Sequence, residues 1–293
     1  MTIDKRLSLF VSGHKGFLGS HVMSHFQGSF AIKTFDGDLF ELPSNLISGD
    51  EKAFFHFAGV SMPAACEKSP DVAYRNNLML TEALLTKLSK TLSKSKTVFV
   101  FFSTAHVYEN SVVPMKEEAS VNPKSVYSRT KYAAELLVRD LCTFYNIPYV
   151  IVRLFNTSHK SQVGPFFMPT LYSQFAAHTV SKEPFIPKLD RVNVVRDFLS
   201  LKDFLGAMEA IVRFDWSQPQ GCGIYNICTG HGKVLKDIVY ELGKQLGVPV
   251  ALSDSYLTIE SSIVGDSTKF QNVFSWQPSY SKSVADFVKS YLE

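Results

Sequence analysis

Four cysteines are spread over 293 residues, and none forms a Cys-x-x-Cys. Cys66, Cys142, Cys222 and Cys228 therefore offer no disulfide framework, and reduced thiols in a cytoplasmic protein are expected. Long apolar runs are also missing. Leu7–Val11 is too short for a signal peptide and runs at once into Gly13, and nothing is long enough to span a bilayer. Charge of one sign is scarce: the net is +3, with no basic stripe, which removes any call for nucleic acid or a membrane surface. There is no internal repeat and no low-complexity tract. Of the histidines, His21 and His25 stand at i and i+4 with no third ligand, so no metal site is expected.

What is present is a chain long enough for one or two domains with a large core. It is rich in Phe, with 24 residues, which suits a packed α/β core or a ring-stacking pocket. Strand-like runs fall at 7–12, 31–35, 53–58, 97–102 and 149–155. Helical stretches fall at 17–26, 69–90 and 125–145, with Ser69 as N-cap of the second, Pro70 at its first position and Ile147-Pro148 ending the third. Strands alternating with helices predict parallel βαβ units: an α/β, Rossmann-type doubly wound sheet over residues 1–157. After Asn156 prolines become frequent and elements shorten. Helices are expected near 169–179, 203–214, 234–246 and 284–292, and strands near 192–199, 223–227 and 248–252. That second part, 158–293, reads as a smaller mixed α/β substrate region, with the chain crossing back to the first sheet around 192–228.

Gly13-x-x-Gly16-x-x-Gly19 closes the first strand and opens the first helix. A tight turn suits Gly13, close approach of a phosphate to backbone suits Gly16, and helix–strand packing suits Gly19. The N–H groups at the helix start, aided by its dipole, would face a pyrophosphate. Asp36 ends the second strand, where an acidic side chain takes the adenosine ribose hydroxyls and repels a 2′-phosphate. No Arg or Lys follows it closely, so NAD is expected and NADP less so.

Tyr127 and Lys131 stand at i and i+4 of one helix and project to the same face. A free phenol, with pKa near ~10, is a poor base, and a nearby ammonium is expected to lower that value. Such a pair can exchange a proton at a carbonyl oxygen. Ser103 and Thr104 end the strand before it, at the sheet edge that faces a ligand crevice. Either hydroxyl could bind the same substrate oxygen as Tyr127.

Eight strings in order extend the pattern: Gly-His-Lys-Gly-Phe-Leu-Gly at 13–19, His56-Phe57-Ala58-Gly59, Arg75-Asn76-Asn77, Ser103-Thr104-Ala105-His106-Val107-Tyr108, Tyr127-x-x-x-Lys131, Arg153-Leu154-Phe155-Asn156, Arg196-Asp197-Phe198 and Tyr225-Asn226-Ile227-Cys228-Thr229-Gly230. The chain resembles, over nearly its whole length, the extended short-chain dehydrogenases/reductases that modify nucleotide sugars. The resemblance implies a cofactor site of Gly13, Lys15, Gly16, Phe17, Leu18, Gly19, Asp36, Phe57, Ala58, Gly59 and Asn77, completed by Tyr127 and Lys131. It implies a catalytic triad of Thr104, Tyr127 and Lys131. Ser103, His106, Asn156 and Arg196 would meet the nucleotide sugar. The second half most resembles reductases of nucleotide-linked 4-keto-6-deoxy sugars, in Glu183-Pro184-Phe185-Ile186 and the stretch at Arg196.

Three departures from the resembling pattern stand out. The gap between Asp36 and Ala53 is too short for the usual strand and helix. Dehydratases of the family carry an acidic pair after the catalytic Thr, where this chain has Ala105 and His106. The Arg that in the family often clamps the pyrophosphate has no counterpart just before Gly265-Asp266, and Arg191 or Lys188 could substitute. The first reading is reduction of a 4-keto-6-deoxy nucleotide hexose. The alternatives are a 4-epimerase that retains NAD and a non-catalytic cofactor-binding subunit that regulates a partner. The helices at 70–90 and 125–145 carry apolar residues on more than one face, and the outer one suits a two-fold homodimer.

Overall fold

A computed structural model describes residues 7–111, 113–178, 183–189, 192–217, 219–252, 259 and 261–293. Six parallel strands form the main sheet: β1 (Ser8–Ser12), β2 (Ala31–Lys33), β3 (Glu51–His56), β4 (Val98–Thr104), β5 (Tyr149–Leu154) and β8 (Gly223–Ile227). Their order across the sheet is β2-β1-β3-β4-β5-β8, so the chain reverses direction between β1 and β3. That reversal opens a crevice at the carboxyl ends of the two strands, the usual ligand position in such sheets.

Alternation along the strands builds a core on each face. Leu9, Val11, Phe55, Val100, Phe102 and Val152 point to one side, where they meet α1 (Phe17–Phe26) and α7 (Leu201–Arg213). Phe10, Phe54, Phe99, Phe101 and Ile151 point to the other, against α4 (Leu80–Leu92) and α5 (Val126–Tyr145). Both faces are covered, which is why these strands read as continuous apolar runs. A second sheet of β6 (Asn156–Ser158), β7 (Val194–Ser200) and β10 (Ser261–Ile263) is parallel, with β9 (Gly232–Val234) antiparallel to β7. It packs with α6 (Phe167–His178), α8 (Leu235–Leu246) and α10 (Val284–Leu292) around Phe175, Phe198, Leu242 and Phe287.

Several expectations are corrected. The helix expected over 69–90 is broken into α3 (Pro70–Tyr74), a π-helical turn at Arg75–Met79 and α4. The Ser69 side chain makes no capping bond. A short helix α2 (Pro63–Lys68) precedes it. The strand expected at 248–252 reduces to a single bridge between Val250 and Phe185. The strands β6, β9 and β10 and the helix α9 (Thr268–Phe274) were not expected. Three-residue strands carry no periodicity of their own; partners distant in sequence create them. In the short gap after Asp36 stand two 3₁₀ turns, Leu39–Glu41 and Ser44–Leu46, whose flanking Leu42 and Ile47 close the core. The edge strand and helix usual there are replaced by this strap.

Candidate active site

The glycine loop is built for close approach. Gly13 has φ +69°, and a Cβ there would lie 2.6 Å from the backbone nitrogen of Ala58. A Cβ on Gly19 would lie 2.4 Å from the Gly13 carbonyl oxygen, so α1 and β1 pack backbone to backbone. Gly16 is the N-cap of α1; no side chain caps the helix, and its first turn has no acid. Its leading N–H groups are thus left for an anion. A concavity of about 270 Å³ runs from Gly16 and Phe17 to Ser161 and Val163, and one of about 160 Å³ lies between Gly13 and Asp36. This cradle fits a dinucleotide, pyrophosphate at the helix start and adenosine ribose at Asp36. Leu18 is half-buried against the first core. Phe57 is stacked on Phe102 at 3.9 Å between ring centres, so it serves as packing under the site.

Asp36 already has company. Its carboxylate accepts from Lys15 Nζ at 2.6 Å and lies 3.3 Å from His14 Nε2. The Lys15 ammonium holds the Asp36 carboxyl below its ordinary range, with His14 adding to it. Lys15 comes from the glycine loop, not from the segment after Asp36, so the acid expected to favour NAD has a cation beside it. Asp36→Ala is therefore expected to narrow or reverse the preference for NAD(H), because it frees Lys15 to meet a 2′-phosphate. Lys15→Ala should widen that preference. Calorimetric titration of both variants with NADH and NADPH decides, and a wild-type protein that prefers NADPH would refute the role given to Asp36.

Asn77 sits in the π turn, a device common at functional positions. Its amide oxygen accepts from the Val60 N–H at 2.8 Å, and its nitrogen donates to Thr130 Oγ1 at 2.9 Å. It is committed to holding the loop at Ala58 and Gly59, where Gly59 has φ +150°. The chain continues through buried His56, which bonds Ser12 Oγ and Thr81 Oγ1. Burial, with the Lys131 charge, pushes His56 down to about 3, so the ring stays neutral.

The helix α5 is set by a capping box between Ser125 and Ser128, and by Glu67 of α2, which accepts from the Val126 N–H at 2.7 Å. That start places Tyr127 and Lys131 one turn apart beneath the end of β4. Thr104 lies close enough to the Tyr127 hydroxyl to lower its pKa. Lys131 is 8% exposed, its Nζ 4.5 Å from the centre of the Phe101 ring. The phenol corrects the expectation: burial pushes it up to about 12, Thr104 pulls it down by less, and Cys66 adds to the rise. The Lys131 ammonium, seated over the Phe101 ring, is not among the groups that shift it. The amine is itself pushed down to about 8 by burial, against the pull of Glu135 and Cys66.

Ser103 does not face the crevice as a free hydroxyl. It is buried and donates to Glu135 Oε1, which leaves Thr104 as the hydroxyl beside Tyr127. His106 donates its backbone N–H to Thr104 Oγ1 at 3.2 Å. Its side chain is exposed to solvent; desolvation by the surrounding protein lowers its pKa first, and the charge of Arg196 second. Arg196 Nη1 and Nη2 each donate to Ser261 Oγ at 3.1 Å. Asn156 is half-buried at the start of β6, across from Phe198 of β7. Arg191 lies outside the described residues. His21 and His25 diverge to Ser161 and Glu209. Among the described residues no group of three or more His, Cys, Asp or Glu could hold a metal ion, and no helix is long and apolar enough to cross a membrane.

A parallel sheet with a glycine-rich cofactor crevice, a Thr–Tyr–Lys set at its edge and a second small sheet beside it define an extended short-chain dehydrogenase/reductase. The profile of the NAD dependent epimerase/dehydratase family matches residues 9–228, and the chain belongs to that family of NAD-dependent enzymes. Among its relatives, UDP-glucose 4-epimerase of Halalkalibacterium halodurans is 22% identical over 94% of this chain and 91% of its own. GDP-6-deoxy-D-mannose reductase of Pseudomonas aeruginosa is 26% identical over 79% of this chain and 77% of its own. The fold is shared with RMD from Pseudomonas aeruginosa, solved in complex with NADPH: TM-score 0.82, 21% identity, 97% of this chain and 98% of that one.

Sequence reasoning passed over Glu135 and the Lys15–Asp36 pair. The first had a signal, since Glu135 repeats the four-residue step from Tyr127 to Lys131. The second had none, because a loop and a strand end meet there only in three dimensions.

Proposed function

We propose that the enzyme reduces the C4 carbonyl of a nucleotide-linked 4-keto-6-deoxy hexose. One observation carries the reading: desolvation pushes the half-buried Tyr127 phenol up to about 12, with Thr104 beside it and Lys131 one turn later on α5. That arrangement suits an acid better than a base. When bound, the dinucleotide supplies hydride to C4. Thr104 orients the carbonyl oxygen, and Tyr127 gives it a proton as the C=O electron pair moves onto that oxygen. Lys131 keeps a positive charge nearby, which steadies the phenolate left behind. Asp36 and the glycine loop hold the dinucleotide, and Asn156, His106 and Arg196 line the side where the nucleotide sugar would lie. In this reading 158–293 is the sugar-binding part, with α7 and β8 lent back to the first sheet.

A second reading, 4-epimerisation with retained NAD, is supported by the epimerase relative that spans nearly the whole chain. Small molecules released from the denatured pure protein separate the two: stoichiometric NAD favours the epimerase, and an empty site that takes up added NADH favours the reductase. Dehydration is not expected, because Ala105 and His106 stand where it needs an acid and a base. NADH absorbance should fall when a 4-keto-6-deoxy nucleotide sugar, made by a separate dehydratase, is added. Formation of the keto sugar from the parent hexose by this chain alone would refute the assignment. The outer face of α4 and α5, with Leu136 36% and Phe144 76% exposed, is the surface we assign to a two-fold dimer, checked by sedimentation velocity.

A further inference from the structure

Beneath the crevice lies a buried charge network that the reaction above does not use. Glu135 follows Lys131 by one turn of α5 and is 1% exposed. Arg153 of β5 donates to it three times, Nε to Oε1 at 3.1 Å and to Oε2 at 3.2 Å and Nη2 to Oε2 at 2.8 Å, and Ser103 donates a fourth bond. Arg153 is held in turn: Nη1 donates to the Glu117 carbonyl at 2.9 Å, and its guanidinium lies 4.7 Å from the centre of the Tyr108 ring. The carboxylate is thus fixed on three sides. Buried ion pairs of this kind add little net stability over apolar residues of similar volume. That weakens a purely structural explanation.

The groups around Lys131 narrow the alternatives. From β3, His56 is neutral. From α2, burial pushes the Cys66 thiol above its ordinary value, so it carries no charge at neutral pH. From α5, Tyr127 is protonated. From β4 comes the Phe101 ring. Of the two groups that raise the amine, Glu135 comes first and Cys66, whose thiol is protonated at neutral pH, second.

We propose that Glu135 is a positioning residue: its carboxylate, locked by Arg153 and Ser103, supplies the charge that keeps Lys131 an ammonium seated on Phe101 in the crevice. The proposal rests on the assignment of Lys131 to the reaction, but its test does not. Competitive labelling with acetic anhydride from pH 6 to 10, read by mass spectrometry, gives the midpoint at which each lysine becomes nucleophilic. Lys233 serves as internal reference, because burial brings it also to about 8 while its partners are Asp197 and Asp203. Glu135→Gln should move the Lys131 midpoint down by about one unit or more, leaving Lys233 in place. Glu135→Asp, which keeps the charge, should restore most of the shift. If Glu135→Gln fails to fold because Arg153 is left unmatched, the double variant Glu135→Gln/Arg153→Met removes both charges and should show the same shift. An unchanged Lys131 midpoint in any folded variant lacking the Glu135 carboxylate overturns the proposal. A shifted midpoint without NADH oxidation on any keto sugar would leave the positioning role intact and reject the reductase reading.

Discussion

Tyr127→Phe should lower turnover by roughly 10²–10⁴-fold while NADH affinity stays near wild type. The substitution removes one oxygen and leaves the ring that packs against Cys66, Ala73 and Val126. The lost group is the proton donor, so the effect belongs to the chemical step. With the phenol at about 12, the donor form is fully populated across the neutral range, and Tyr127 sets no limb of the pH profile there. Lys131, at about 8, does. Its ammonium is present below that value and lost as pH rises through it, so reductive turnover should decline above about 8 in wild type. Lys131→Met should depress both turnover and cofactor affinity. Near-wild-type turnover of Tyr127→Phe on a proven substrate would show that another group donates the proton.

Gly13→Ala should cost the protein its cofactor site. Two penalties add at one atom. A side chain at φ +69° strains the backbone by about 1–2 kcal/mol. The new Cβ also meets the Ala58 nitrogen at 2.6 Å and the Phe57 carbonyl carbon at 2.8 Å. Both are backbone atoms at the end of β3, so relief requires the strand end to move, at about 1–3 kcal/mol. The expected result is NADH affinity lower by about 10–100-fold, the equivalent of the ~1.4–2.8 kcal/mol of cradle geometry lost, with a fall in Tm of several degrees. Gly28→Ala is the control: it has no positive φ and nothing within 4 Å of the added carbon. Titration calorimetry and thermal unfolding read both variants. An affinity within twofold of wild type for Gly13→Ala would mean that the dinucleotide does not lie on this loop.

Much of the first sheet was legible because its signals are local. The helix α1 was read at Phe17–Phe26 and the strand β8 at Gly223–Ile227, with the bounds the structure shows. The start of α5 was marked by Ser125, and its C-cap is Asn146 in the left-handed conformation, just before Ile147-Pro148. The π turn at Arg75–Met79 was not legible, since the residues around it have ordinary helical spacing and only Asn77, drawn in by Val60 and Thr130, distorts it. The short strands β6, β9 and β10 failed for the same kind of reason. Each exists because β7, far away in sequence, offers an edge.

The spacing of Gly13, Gly16 and Gly19, and of Tyr127 and Lys131, determined by itself that a tight glycine turn would open α1 and that the two side chains would stand one helical turn apart. Turn geometry and helical periodicity are properties of adjacent residues. The states of those groups were decided by the tertiary structure. Desolvation pushes the Tyr127 phenol up to about 12, and the meeting of a loop with a strand end gives Asp36 its Lys15. Ser103 is turned from the crevice to Glu135, and Arg153 arrives from the neighbouring strand to hold that carboxylate. Desolvation and charge pairing depend on what surrounds an atom in space, and neighbours drawn from residues 15 to 153 of the chain appear only once the sheet has closed.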